Sequence, residues 1–136
     1  MLKFDEQKQL DSVNGALALR GRIEEIVDAI CAEGYKNICW LGIGGTWASA
    51  LQAEVHIEFF SENAAEYVTT GNKRVGKGTI VILSSVTGST IEMVEGVKKA
   101  QADGAKVFGF IDKAEAELAK MVDYVISYPA NEQLKF

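Results

Sequence analysis

The chain is 136 residues long, 48% hydrophobic, and carries 14 Lys and Arg against 19 Asp and Glu, a formal net charge of −5. That size suits one domain with a packed core, and the acidic balance leaves no electrostatic footprint for nucleic acid. No apolar run approaches the ~20 residues a bilayer requires, and the charged N-terminus MLKFDEQKQL is unlike a signal peptide; no membrane partner is expected and the reading is cytoplasmic.

The spacing of Leu10, Val13 and Leu17 predicts a helix over 4–20, with Asp5 and Glu6 near its start, where the macrodipole favours anions. Ile23, Ile26, Val27 and Ile30 predict a second helix, closed by Gly34. Residues 38–41 (ICWL) read as a strand, and GIGGT at 42–46 opens a helix carrying Trp47, Ala48, Ala50, Leu51 and Val55. The glycines are not the dinucleotide fingerprint, because Trp47 stands where its third glycine belongs, and no Gly-Lys-Ser/Thr follows to make a P-loop. Taken alone, this turn reads equally well as a tight strand-to-helix connection or a ligand loop.

Residues 56–60 read as a short strand near 57–61 or a helix end, and a short helix from 64 closes near Gly71. His56 is the only histidine, and beside apolar neighbours a lone histidine is more often structural than catalytic. Lys73, Arg74 and Lys77 read as a solvated basic loop. Gly76 and Gly78 turn the chain into a strand at 79–83.

The central stretch is 80–97, IVILSSVTGSTIEMVEGV. Its β-branched run suits a strand buried on both faces. Ser84, Ser85, Thr87, Ser89 and Thr90 then place five hydroxyls around Gly88 within seven positions, and Ile91, Val94 and Val97 continue at helical spacing. A helix start presents N–H groups with no partner in the helix and a dipole that favours negative charge, and hydroxyls add donors that rotate to fit a phosphate. One hydroxyl suffices for capping; here STIE at 89–92 has the form of a capping box, with Ser89 as cap and Glu92 reaching back. The remaining hydroxyls point to anion binding.

Gly104 closes the central helix. Residues 106–111 read as a strand, 114–121 as a short helix charged outside through Glu115, Glu117 and Lys120, and 124–127 as a last strand before Pro129. Cys31 and Cys39 form no C-x-x-C pair and are expected as buried, reduced thiols. With one histidine there is no zinc set, and no metal or cofactor is expected.

Strands alternating with helices imply an α/β fold: a doubly wound three-layer α/β/α sandwich with a mostly parallel sheet of about five strands in flavodoxin-like order. Ligands in such sheets bind at the carboxyl ends of strands where the order reverses. If strands 38–41 and 79–83 are neighbours there, loops 42–46 and 84–90 face one crevice. The expected organisation is an N-terminal helix over 1–21, a domain over 22–130, and the start of a linker or a further element over 131–136.

Gly42-x-Gly44-Gly45-Thr46, the run 84–92 (SSVTGSTIE) and Gly104-Ala105 before a strand resemble the sugar isomerase (SIS) domain, over about 22–128. In closer detail DSVNG at 11–15, GGTW at 44–47, ENAAE at 62–66 and YPANEQ at 128–133 are similar to bacterial fructoselysine-6-phosphate deglycases. The resemblance implies a 6-phosphosugar or 6-phosphofructosamine ligand whose phosphate is held by Thr46, Ser85, Thr87 and Thr90, with backbone N–H groups around Gly45 and Gly88. Val86 stands where some isomerase relatives have glutamine. It also implies a second such domain, or a neighbouring subunit, as the source of the acid–base glutamate and histidine. The candidates in this chain, His56, Glu54, Glu66 and Glu92, have no clear second partner, so catalytic residues stay unassigned. A non-catalytic phosphosugar-sensing module is the alternative, and a nucleotide-binding Rossmann-like domain a third reading. Trp47, Phe59 and Phe60 near the site-bearing helix suggest an apolar patch and hence a homo-oligomer.

Overall fold

The computed structural model describes residues 4–53 and 58–128. Helices α1 (Glu6–Leu17) and α2 (Arg20–Glu33) precede strand β1 (Asn37–Gly42) and helix α3 (Gly45–Ala53). Then follow β2 (Phe60–Asn63), α4 (Ala64–Thr70), β3 (Thr79–Ser85), α5 (Ile91–Ala102), β4 (Lys106–Ile111), α6 (Glu117–Met121) and β5 (Tyr124–Ser127). The strands make one parallel sheet in the order β2-β1-β3-β4-β5. The doubly wound fold is thus borne out, and strand order reverses between β1 and β3.

Alternation along each strand builds two cores. Cys39, Leu41, Val81, Leu83, Val107 and Ile111 face one side, where Tyr67 of α4, Met93 and Val97 of α5 and Leu118 of α6 cover them. Ile80, Phe108 and Ile126 face the other side, against Ile26 and Ile30 of α2. Fully burying a side chain such as Leu83 contributes about 1.5–3 kcal/mol. At the amino ends of the strands Thr79 Oγ1 donates to Asn37 Oδ1 (2.7 Å) and accepts from the Gly76 N–H (3.0 Å), which ties β3 to β1. The register Cys39↔Val81 then carries the strands in step to their carboxyl ends.

Several expectations are corrected. Cys31 is exposed while Cys39 is buried; Ile30 takes the inward position, and the next residue lies about 100° round the helix. Phe59 and Phe60 are buried, Phe59 tilted against Trp40 (5.8 Å between centroids) and Phe60 beneath the Arg74 guanidinium (3.9 Å). They therefore supply no exposed patch, and Arg74 is spread over a ring rather than simply solvated. The short strand lies at Phe60–Asn63 rather than near 57–61. The last helix is shorter than read, Glu117–Met121, because the Ala116 N–H closes a turn onto the Lys113 carbonyl (3.1 Å). Glu54, Val55 and His56 lie outside the described residues.

Candidate functional site

The loops 42–46 and 84–90 leave the same end of neighbouring parallel strands, at the point where strand order reverses. In the first, Gly42 lies against the helix start: a Cβ there would come within 2.7 Å of the Trp47 nitrogen. Thr46 Oγ1 donates to the Ile43 carbonyl (2.9 Å) and accepts from the Ile43 N–H (3.2 Å). Its proton is therefore spent closing its own turn. Gly45 is exposed, one residue before it.

The five hydroxyls of the second loop part company. Ser84, at an even position of β3, faces away from Ser85 and lines a cavity of about 350 Å³ with Trp40, Phe110, Ile126 and Tyr128. Ser85 is buried and accepts the Gly88 N–H at Oγ (2.9 Å), so the Gly88 amide is used inside the loop. Gly88 has a positive φ of 68°, and a Cβ there would meet Ala116 Cβ at 2.5 Å and Ile111 Cγ2 at 2.9 Å. Its carbonyl accepts from the Leu118 N–H (2.9 Å). The segment after β4 thus buttresses the loop. Ala116 carries no chemistry of its own, so nothing in the sequence marked it.

Thr87 and Thr90 come together, their hydroxyl oxygens 3.4 Å apart, with the Ser89 N–H also directed at Thr87 Oγ1 (3.4 Å). The expected cap is corrected here. Thr90, not Ser89, is the N-cap of α5, and it makes no side-chain capping bond. With the helix beginning at Ile91, Glu92 falls at its second position, one short of the place from which a capping-box carboxylate reaches back. By contrast, Asn63 caps α4 fully, accepting from the N–H groups of Ala65 (3.0 Å) and Glu66 (3.3 Å). It is paired in register with Gly42, at the same end of the sheet.

The structure therefore gathers Thr87 and Thr90 at an α5 start whose cap makes no side-chain capping bond, with Ser85 and Gly88 as the frame beneath and Thr46 and Gly45 in the adjoining loop. Glu66 and Glu92 are both exposed, in the first turns of α4 and α5. Among the described residues no cluster of metal-ligating side chains is present, and no helix is long and apolar enough to cross a membrane.

A flavodoxin-ordered parallel sheet with two glycine- and hydroxyl-bearing loops at its switch point defines a doubly wound α/β domain, and in such domains ligands bind at that point. The chain belongs to the SIS domain family, whose sequence model matches residues 34–134. It is 30% identical over 129 residues to the glutamine–fructose-6-phosphate aminotransferase (isomerizing) of Methanosarcina acetivorans, covering 84% of this chain and 21% of that protein. The chain thus spans about a fifth of the length of the curated relatives it matches. Among solved structures it shares its fold with the tagatose-6-phosphate ketose/aldose isomerase of Escherichia coli (TM-score 0.69, 16% identity, 93% of this chain and 39% of that one). It likewise resembles the Vibrio vulnificus NanR protein complexed with ManNAc-6P (TM-score 0.71, 18% identity, 96% and 52%).

Proposed function

We propose that this chain binds a 6-phosphosugar, with the phosphate between loops 42–46 and 84–90. The observation that carries this reading is the Thr87–Thr90 pair, two hydroxyls 3.4 Å apart at a helix start that no side chain caps, in a SIS domain. Thr87 and Thr90 donate to the phosphate, joined by first-turn N–H groups of α5. Ser85 keeps a proton to donate while its oxygen holds Gly88. Thr46 joins by exchanging its bond to the Ile43 carbonyl, and backbone N–H groups near Gly45 complete the first loop. The ligand class is supported by ManNAc-6P in the NanR complex, and by tagatose 6-phosphate and fructose 6-phosphate in the names of the E. coli neighbour and the M. acetivorans relative.

Within that class we read the chain as the phosphosugar part of an aldose–ketose isomerase or a fructoselysine-6-phosphate deglycase, with 22–130 as the phosphosugar domain, 1–21 as a leading helix and 131–136 as the start of a linker. Shifting a proton between C1 and C2 of an opened sugar requires a positioned acid and base. In this proposal both come from a second such domain or a neighbouring subunit, so the chain by itself binds without turnover.

Calorimetric titration with glucose 6-phosphate and with glucose tests the binding, and release of free lysine from fructoselysine 6-phosphate tests the chemistry. Tight binding of the phosphorylated sugar alone is expected. Equal affinity for both sugars would remove the phosphate site. Binding without lysine release fits both the divided enzyme and a sensing module; turnover regained on adding a second SIS domain decides for the enzyme.

A further inference from the structure

A cavity of about 230 Å³ opens at the amino ends of β1 and β2, the opposite end of the sheet from loops 42–46 and 84–90. The six residues of β1 separate the two ends by about 16 Å. The charged part of its lining is Lys36, Arg74 and Glu58, and Tyr35, Ile38 and Phe59 supply apolar wall. Among the described residues, neither cation has a carboxylate at ion-pair distance, on a chain whose formal net charge is −5.

Arg74 is fixed on three sides. Its N–H donates to Asn72 Oδ1 (2.8 Å), and its carbonyl accepts from Asn37 Nδ2 (3.0 Å). Its guanidinium lies over the Phe60 ring, 3.9 Å from the centroid. A stacked guanidinium gives up rotamer freedom but keeps its N–H donors, which lie in the plane of the group and match a carboxylate two at a time. Lys73 and Lys77, in the same basic stretch, are exposed and do not line the cavity.

We propose that this cavity binds a small monocarboxylate with an apolar body, its carboxylate on the Arg74 guanidinium beside Lys36. The lining carries two positive charges and one negative, so a single negative charge balances it, and the Glu58 carboxylate opposes a dianion such as phosphate. The apolar wall of Tyr35, Ile38 and Phe59 takes the rest of the molecule. The volume falls below the ~300–1,000 Å³ of drug-sized sites, which restricts the ligand to a small one. This site stands apart from the phosphosugar reading.

Benzoate is the probe, and benzamide its neutral counterpart of nearly the same shape. In amide-resolved NMR titrations of the 136-residue chain at fixed ionic strength, benzoate should shift the Lys36, Phe60 and Arg74 amides saturably and leave those of Thr87 and Ser89 in place. Benzamide should bind at least about tenfold more weakly. Arg74→Gln should weaken benzoate binding by about tenfold to a hundredfold, the loss of a charge-assisted pair. Arg74→Lys, which keeps the charge without the planar fork, should weaken it by about threefold to tenfold. Lys36→Gln should do the same while leaving the stack on Phe60 intact, and thermal melts check that each variant folds. Glu58→Gln removes the opposing charge and should tighten binding by up to about fivefold, and Lys73→Gln and Lys77→Gln should change it by less than about twofold. Thr87→Val should weaken glucose 6-phosphate and not benzoate, so the two sites fail separately. No saturable shift at the amino ends, equal binding of benzamide, losses in Lys73→Gln and Lys77→Gln as large as in Arg74→Gln, or inorganic phosphate binding there more tightly than benzoate would overturn the proposal.

Discussion

The hydroxyl oxygens of Thr87 and Thr90 lie 3.4 Å apart, across the turn that delivers β3 into α5. Thr90 is the N-cap and yet bonds no backbone N–H of its own helix. Two rotatable hydroxyls, paired with each other, thereby stand beside the first turn of α5.

That pairing predicts the outcome of two substitutions. A hydrogen bond to a charged partner contributes about 1.5–3 kcal/mol, and about 1.4 kcal/mol is tenfold in affinity. Thr87→Val should therefore weaken glucose 6-phosphate binding by about tenfold to a hundredfold in calorimetric titration, at nearly unchanged shape. Thr90→Ala should weaken it similarly while lowering stability by less than the ~1 kcal/mol usual for a lost cap, because no capping bond is present to lose. Ser89→Ala should alter neither.

Gly88→Ala should destabilise the chain by about 1–3 kcal/mol, read as a lower thermal midpoint. The added Cβ meets Ala116 Cβ at 2.5 Å, and the backbone holds a positive φ of 68° that alanine disfavours. Gly45→Ala is the control: its Cβ would meet nothing within 4 Å, and its φ is not positive, so stability should hold.

Tyr67 is buried under α5 and donates its phenol to Asp103 Oδ2 at 2.6 Å. Burial, and then the Asp103 carboxylate, push the phenol pKa up. Tyr67→Phe should cost about 1–2 kcal/mol in denaturant unfolding, the range for a bond to a charged acceptor that also keeps a second partner, here Lys99 at 3.6 Å. The packing around the ring should be unaffected.

The two thiols should differ in reactivity and in their effect on pH stability. Exposed Cys31 should react with a thiol reagent in the native state, and Cys39 only in denaturant. Burial pushes the Cys39 thiol up to about 12, against an ordinary value of about 8.5 when unfolded. The folded state then holds a proton that the unfolded state releases. The Cys39 contribution is complete below the unfolded value and is lost as pH rises from there toward the folded one. Cys39→Ser should flatten the alkaline fall in stability between those limits in a pH series of denaturant melts.

The sequence by itself determined the parallel α/β class, because apolar runs at period two and stripes at period 3.6 alternate along nearly the whole chain. Ile80–Leu83 and Val94–Val97 were legible as a strand and a helix from residue type alone. The glycine turn at 42–46 and the hydroxyl-rich turn at 84–90 were legible as one candidate site, since βαβ handedness and strand order bring such loops to one edge. What tertiary structure decided is which hydroxyl does what. Ser84 and Ser85 are adjacent in sequence but face opposite sides of the sheet, Ser85 is held by Gly88, Thr87 meets Thr90, and Ala116, from beyond β4, leaves no room for a Cβ at Gly88. The same holds for burial. Phe59 and Phe60 look like a patch until Trp40 and Arg74 cover them, while Leu10, Val13 and Leu17 look like core and stay in water. Periodicity reports which side chains share a face; only the packing of distant segments determines whether anything lies against that face.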